Sequence, residues 1–346
     1  MEVVRHLDKK VWNAFLAQQP NASIYHTYEM FQVAARSQGQ SPEFWAVIDE
    51  PTVLALLLPV KISLLTGWLR GFTTRAVSYG SVLCAPGEEG SLALELLLDA
   101  YQRNVGSEVL FTELRNQSDL SAYQPILNRK GFRYEDHLNF LIDLDVPEKV
   151  LWSKINKSGR HRIRTAEKRG VRVEEASNAA GMYTAYLKLK PVYKRIGVPL
   201  ADISMFQSAY DILAPRGMLK IFLAYAEEEC IGARILLTYR DRIIDWYAGA
   251  DRDQGSYSPN ETLVWHVLRW GQAHGFREFD FGGGGKPGEP YGPREFKLKF
   301  GGKQVNYGRN VCIHAHWRFS VSQAGYGFYR RLPRSRSRSE SNRVSD

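Results

Sequence analysis

Cysteine is almost missing from this chain. Cys84, Cys230 and Cys312 are the only three among 346 residues, and none has a Cys-x-x-Cys partner. This excludes a disulfide framework and a cysteine-built zinc site, and fits a reducing compartment. Long hydrophobic runs are missing too. The longest, Val53 to Val60, is far below the roughly 20 residues that cross a bilayer. The N-terminal Met1-Glu-Val-Val-Arg-His-Leu-Asp8 has no apolar signal-peptide segment, so a cytoplasmic protein without a spanning helix is expected. The nucleotide P-loop pattern fails, because Gly285-Lys286 is followed by Pro287 and Asp280 stands where the first glycine belongs. There is no Gly-x-Ser-x-Gly elbow and no catalytic cysteine context. His314-Ala-His316 has the look of a ligand pair, but with no carboxylate at metal spacing it is assigned to packing or surface.

Negative charge is in short supply as well. Lys and Arg number 46 against 37 Asp and Glu, a net charge of +9 with a pI near 9.3. Such a balance favours polyanionic partners: nucleic acid, nucleotide-linked substrates or an anionic membrane surface. With 44% hydrophobic and 24% charged residues the body has an ordinary globular composition, and its length suits two domains.

One pattern is written twice. Phe44 to Ile48, Val53 to Ile62 and Ala76 to Leu83 read as three strands, followed by a helix over Ser91 to Asn104 and a strand over Glu108 to Arg115. Leu219 to Ala226, Ile231 to Tyr239 and Ile243 to Ala250 repeat the three runs, followed by a helix over Pro259 to His274 and a strand over Phe276 to Phe281. Helical segments precede each set, at Lys9 to Gln38 and Ala179 to Leu213. Ser258-Pro259-Asn260-Glu261 supplies a capping box with proline at the first helical position, and Gly275 ends that helix. Asn139 to Leu144 reads as a strand closing the first unit. A mixed α+β fold duplicated in tandem follows. The units are expected over residues 1–145 and 146–314, with a helix over 315–331 that can pack on the first and a disordered Arg/Ser tail over 333–346.

Two segments carry candidate chemistry. Between Trp152 and Arg169 a helix is expected, with Arg160, Arg164 and Lys168 at i, i+4 spacing and Arg162 beside them; a lone Glu167 opposes this cluster, which reads as a phosphate-contacting face. Near the C-terminus Phe276-Arg-Glu-Phe-Asp-Phe281 leads into four glycines, and Glu295-Phe-Lys-Leu-Lys-Phe-Gly-Gly302 follows. Period-2 alternation puts Phe296, Leu298 and Phe300 on one strand face and Lys297 and Lys299 on the other. Glycines beside them let the backbone approach a ligand closely. An acid-tipped strand, a bare loop and a lysine-bearing strand describe the floor of a groove for an anionic ligand. Asp280 is a candidate base or a carboxylate that accepts loop N–H bonds.

Lys157-Ser-Gly-Arg-His-Arg-Ile-Arg-Thr-Ala-Glu-Lys-Arg-Gly-Val-Arg-Val173, Tyr193-Lys-Arg-Ile-Gly197, Trp246-Tyr-Ala-Gly249, Phe279-Asp-Phe-Gly-Gly283 and Phe296-Lys-Leu-Lys-Phe-Gly301, in this order, resemble the Fem peptidyltransferases, non-ribosomal aminoacyltransferases of peptidoglycan cross-bridge synthesis. The resemblance implies two tandem domains of the GNAT acyltransferase fold. The chain has no heptad segment, so it is similar to the compact members, which lack a coiled-coil arm. It also implies aminoacyl-tRNA as donor, an amine of a peptidoglycan precursor or related peptide as acceptor, and no metal or nucleotide cofactor. A monomer is expected, in the cytoplasm or peripheral at the inner membrane face. By position, Phe296 and Lys297 match the catalytic pair, the lysine stabilising the tetrahedral oxyanion. Arg195 matches an arginine that contacts the acceptor's phosphates, and Tyr257 falls in a loop that shapes the peptide channel. Where compact members carry a phosphate-contacting lysine in the first domain, this chain has Gln32, with Arg36 one turn on, which leaves the acceptor open. Arg160, Arg162, Arg164, Lys168 and Lys299 would face tRNA. Two other readings stand beside this one: an acyl-CoA-dependent N-acyltransferase of a sugar amine, disfavoured by the long acidic loop Ala250 to Ser258, and a non-catalytic RNA-binding module.

Overall fold

The computed structural model of the chain describes residues 1–331 except 64 and 66, so the tail expected over 333–346 lies outside the described residues. The first half comprises β1 (Glu2–Val4), α1 (Lys9–Gln18), α2 (Tyr28–Ala35), β2 (Gln40–Pro42), β3 (Trp45–Asp49), β4 (Thr52–Leu57) and β5 (Val60–Ile62). It continues with β6 (Arg75–Ser78), β7 (Val82–Cys84), α3 (Gly87–Val105), β8 (Phe111–Arg115), α4 (Gln124–Arg129) and β9 (Arg133–Glu135). Then come β10 (Leu138–Asp143), α5 (Glu148–Lys154), α6 (Lys157–Lys168), β11 (Arg172–Glu175), α7 (Ala179–Ile196), α8 (Ile203–Leu213) and the meander β12 (Leu219–Ala226), β13 (Glu229–Tyr239), β14 (Arg242–Ala250). The chain closes with α9 (Pro259–Ala273), β15 (Glu278–Gly283), α10 (Gly292–Leu298), β16 (Lys303–Asn306), β17 (Arg309–Ile313) and α11 (His316–Arg331).

The duplication is visible in strand polarity. In each unit the meander is antiparallel, and one parallel contact follows its helix: Ala76–Ser78 beside Thr112–Leu114 in the first, Arg242–Ile244 beside Glu278–Asp280 in the second. Pro59 lacks the N–H a continuous ladder needs, so the run from Val53 to Ile62 divides. β4 joins the sheet β1-β3-β4-β7, and β5 joins the sheet β2-β5-β6-β8-β17-β9.

The strand Leu138–Asp143 does not close the first unit. It lies between β15 and β16 in the second unit's seven-stranded sheet, ordered β11-β12-β13-β14-β15-β10-β16. In return β17 lies between β8 and β9 in the first unit. The two crossings run side by side: Asn306 Nδ2 donates to Asp136 Oδ1 at 2.7 Å and His137 N donates to Asn306 Oδ1 at 3.0 Å. Helix α11 packs on first-unit residues, with Trp317 against Phe72 and Phe319 against Phe111.

Alternation along the second sheet sorts its faces. Phe222, Ala224, Leu236, Ile243, Phe279 and Phe281 pack beneath α5, α6 and α9, while Ile221, Leu223, Ile235, Leu237 and Ile244 pack beneath α7 and α8 together with Ile24 and Val33 of the first half. The second face is therefore also where the units meet. α3 covers the first unit through Leu94, Leu97, Leu98, Tyr101 and Val105, the i, i+3, i+4, i+7 stripe of a packed helix.

Candidate active site

β14 and β15 stay paired only through Ile244 and Asp280. Beyond that point β14 runs on to Ala250 while Gly283 of β15 pairs with Asn139 on its other side, so the sheet opens into a wedge. A bulge in β14 marks the opening: Asp245 pairs with Leu236 and Tyr247 with Ile235, leaving Trp246 unpaired. The extra residue turns Trp246 and Tyr247, neighbours in sequence, onto the same α7/α8 face.

Lys297 reaches the wedge from a helix. The expected strand over Glu295–Gly302 is α10 and its terminal turn. Pro293 near the start is compatible with a helix, and Phe296 and Phe300, four residues apart, both pack on Phe281, at 6.1 and 5.7 Å between ring centroids. Leu298, assigned to the packed face of a strand, is 49% exposed. Lys297 Nζ donates to the Phe281 carbonyl and, at 2.8 Å, to that of Gly283. A Cβ on Gly282 would lie 3.7 Å from Lys297 Nζ and 3.8 Å from the Asp245 carbonyl oxygen, so the ammonium sits at the mouth of the wedge. Burial pushes its pKa down to about 8 against the carboxylates of Asp245 and Asp280, with Arg234 adding to the depression. An ammonium has three donors, so one remains after the two carbonyls.

Behind it, Arg234, 2% exposed, pairs with Asp245 at 2.5 Å and lies 5.7 Å from the Phe281 ring. Among the described residues Arg234 Nε and Asp245 Oδ1 have no hydrogen-bond partner. Asp280, 2% exposed, accepts from Gly282 N at 2.8 Å and Asn139 Nδ2 at 2.9 Å. Burial raises its pKa despite those bonds. The glycines beside it admit protein neighbours more than open space: a Cβ on Gly283 would strike the His137 ring at 2.7 Å, and one on Gly284 the Phe140 ring at 2.4 Å.

The facing wall comes from both units. Tyr25 and Tyr79 stack at 5.5 Å, and the Arg115 guanidinium lies 4.9 Å from the Tyr79 ring. Arg115 Nε donates to Glu113 Oε1 at 2.9 Å, Arg309 bonds the same oxygen, and Arg309 Nη2 lies 2.9 Å from His137 Nε2. Burial works to raise the Glu113 pKa, but Arg115 and Arg309 hold it below the usual range. His137 is pushed down to about 4 by burial and then by Arg309. Burial raises the Tyr25 hydroxyl, with the Asp280 carboxylate adding to it. Asp280 thus faces the first unit, as its place between Phe279 and Phe281 requires. Tyr193 of α7 packs on Tyr247 at 5.6 Å.

The other expected residues fall elsewhere. Arg195 is exposed in the last turn of α7, two residues past Tyr193; Gln32 is half-buried in α2, and Arg36 is exposed at its end. Tyr257 packs against the core on the α9 face with Arg169 5.9 Å from its ring. On α6, Arg160 is committed to the carbonyls of Ser153, at 3.0 Å, and Ile155. Arg162 is 3.6 Å from Glu261, Arg164 lies over Trp152 at 5.3 Å, and Lys168 is exposed. Lys299 shares no face with Lys297: helical spacing turns it to Glu261 at 3.0 Å. That glutamate is 6% exposed, and the expected capping box does not form, since Ser258 has φ 50° and makes no side-chain cap. His314 is a packing residue, 2.8 Å from Thr112 Oγ1.

Tyr25, Tyr79, Arg115, Arg234, Asp245 and Arg309 were not foreseen. Tyr193 and Tyr247 lie within motifs noted in the sequence, but Tyr25 and Tyr79 belong to no motif and reach the site only through the contact between units.

Residues 153–297 match the family model described as an acetyltransferase (GNAT) domain. Together with the duplicated fold, this defines an acyltransferase built of two GNAT-like units. The fold is similar to that of FemX, with a TM-score of 0.70 and 16% identity over 93% of this chain and 99% of that one. It is also similar to a tandem GNAT protein from the clavulanic acid biosynthesis pathway, at TM-score 0.57 and 11% identity over 90% and 98% of the two chains. L-PGS from Bacillus licheniformis gives TM-score 0.56 and 13% identity over 93% and 98%. At these identities the likeness is one of fold. No curated protein sequence matches the chain.

Proposed function

We propose that the protein is a Fem-like aminoacyltransferase that moves an amino acid from aminoacyl-tRNA to an amine of a peptidoglycan precursor or related peptide. The observation that carries this reading is Lys297: a partly buried cation held by two strand-end carbonyls at the mouth of the wedge, with a donor to spare. The acceptor amine attacks the ester carbonyl carbon, the carbonyl oxygen becomes an oxyanion, and the carbon–oxygen ester bond then breaks to release the ribose hydroxyl. An amine needs little activation against an ester, so the costly species is the oxyanion. A fixed donor aimed at it contributes about 3 to 4 kcal/mol. With a pKa near 8, Lys297 remains mostly a cation at neutral pH.

Two substrates can then arrive from opposite faces of one sheet. α6 presents Arg162, Arg164 and Lys168 on the α9 side, a surface suited to the RNA backbone. The acceptor enters from the α7/α8 side, between the units, where Tyr25, Tyr79, Arg115, Tyr193 and Tyr247 converge, with Arg195, Gln32 and Arg36 farther out. Phe296 backs Lys297, and Tyr257 borders the donor side. In this reading the enzyme works as a monomer without metal or nucleotide cofactor, in the cytoplasm or at the inner membrane face. Among the described residues no helix is long and apolar enough to cross a membrane.

Acyl-CoA as donor is disfavoured by the loop before α9. A pyrophosphate needs free backbone N–H groups at a helix N-terminus. Here Gly255 N, Tyr257 N and Ser258 N are bonded within the loop to Arg252, Gln254 and Gly255 carbonyls, and Asp251 and Asp253 flank them. The corresponding start of α3 carries Glu88 and Glu89.

The test is transfer of radiolabelled amino acids from a total charged tRNA pool to peptide amines, beside labelled acetyl-CoA. RNase-sensitive transfer is expected; transfer from acetyl-CoA alone would overturn the donor assignment.

A further inference from the structure

Between the units, next to the wedge, lies a cavity of about 50 Å³ none of whose lining residues is charged. Met30 and Ala34 of α2, Met205 of α8 and Trp246 of β14 form its apolar walls, and Tyr25, Tyr79 and Tyr247 stand between it and the active site. Trp246 shares this face with Ile244, two residues before it, and the bulge in β14 adds Tyr247 beside it. Trp246 is then held by Phe206 at 5.8 Å and Tyr247 at 5.0 Å. Voids larger than a water are few in a well-packed core. Counting roughly 10 to 15 Å³ for each water it could hold, the space corresponds to one branched aliphatic or phenyl side chain. Its polar neighbours are neutral: Gln40, turned to the Met205 sulfur at 3.1 Å, and the hydroxyls of Tyr25, Tyr79 and Tyr247. The two methionines are adaptable lining residues that re-pack around a guest.

We propose that this cavity binds an uncharged apolar group, an aromatic or branched aliphatic side chain, of the acceptor whose amine is acylated at Lys297. The inference rests on the acyl-transfer reading for what it calls acceptor. The pocket and the reactive centre share Tyr25 and Tyr247, so an acceptor anchored here extends past the tyrosines into the wedge. The same residues argue against a nucleotide diphosphate in the cavity: α2 presents Met30 and Ala34 to it, and burying a charge there without a partner is strongly unfavourable.

The experiment measures equilibrium binding to the full chain, by calorimetry, of the dipeptide amides Gly-Phe, Gly-Leu, Gly-Glu and Gly-Lys and of UDP. Gly-Phe and Gly-Leu amides should bind at least about 10-fold tighter than the charged pair, the lower end of what an apolar pocket discriminates. Ala34→Leu, which fills the space, and Met30→Lys, which puts a charge on its wall, should each abolish that preference while leaving the thermal transition cooperative. Equal binding of all four amides, tighter binding of the charged ones or UDP, or a preference unchanged in both folded variants would overturn the proposal. Apolar preference with acetyl-CoA as the only working donor would leave the pocket standing and defeat the tRNA reading. RNase-sensitive transfer without apolar preference would do the reverse.

Discussion

Replacing Lys297 by methionine removes a charge that the fold holds at a cost and that the reaction needs. A pKa lowered from 10.5 to about 8 corresponds to about 3 kcal/mol of unfavourable burial at neutral pH. Part of that gain is offset in the variant, because the Phe281 and Gly283 carbonyls lose their donor, at about 1 kcal/mol each. Lys297→Met should therefore be as stable as the parent or up to about 2 kcal/mol more stable in urea unfolding, while kcat falls by roughly 10²- to 10³-fold. The pH dependence sharpens this. Between pH 8 and 10.5 the folded lysine binds fewer protons than the unfolded one, so parental stability gains from raising the pH through that window and the variant lacks the gain. Activity has the opposite dependence: loss of the ammonium proton above pH 8 should lower kcat in the parent. A variant that keeps full turnover, or one that loses more than about 2 kcal/mol, would refute the reasoning and make Lys297 a cap for the end of β15.

Arg234→Ala leaves Asp245 buried without its partner and should cost about 3 to 5 kcal/mol in urea unfolding, whereas the double change Arg234→Met with Asp245→Leu should cost clearly less. Phe300→Ala, at a site 1% exposed against Phe281 and Phe296, should lose about 3 to 5 kcal/mol in the same assay. Arg164→Glu with Lys168→Glu should weaken RNA binding and flatten its salt dependence by about 1 to 2 in the log–log slope, leaving dipeptide amide binding unchanged; filter binding across a salt series checks it.

The repeated meander and the helix and strand that follow it in each unit were legible because alternation and turn chemistry are local. The Glu227 and Arg240 turns, both with positive φ, fall in the gaps between the three runs of the second meander. The segment around Lys297 was misread because Phe296, Leu298 and Phe300 satisfy a strand pattern, while Phe296 and Phe300 alone satisfy a helical one. Only the position of Phe281 decides between them. Lys297 was found and its partners were not: its carbonyls belong to another element, and Asp245 sits on a neighbouring strand, brought beside it by the pairing of β14 with β15. The Tyr25, Tyr79 and Arg115 wall was illegible for a plainer reason. Those residues meet the site across the whole length of the chain.

The exchange of β10 and β17 has a mechanical meaning. Each unit's sheet is completed by a strand the other half must deliver, and the two delivering segments are bonded to each other at Asn306, Asp136 and His137. A chain cut at residue 145 would leave one piece without β17 and the other without β10, so neither piece should fold unaided and the protein should melt in one transition. The waist also bars a hinge. With two covalent crossings pinned beside Arg309 and Gly283, the halves cannot swing apart to load substrates, and both must thread into a cleft whose width is set when the protein folds.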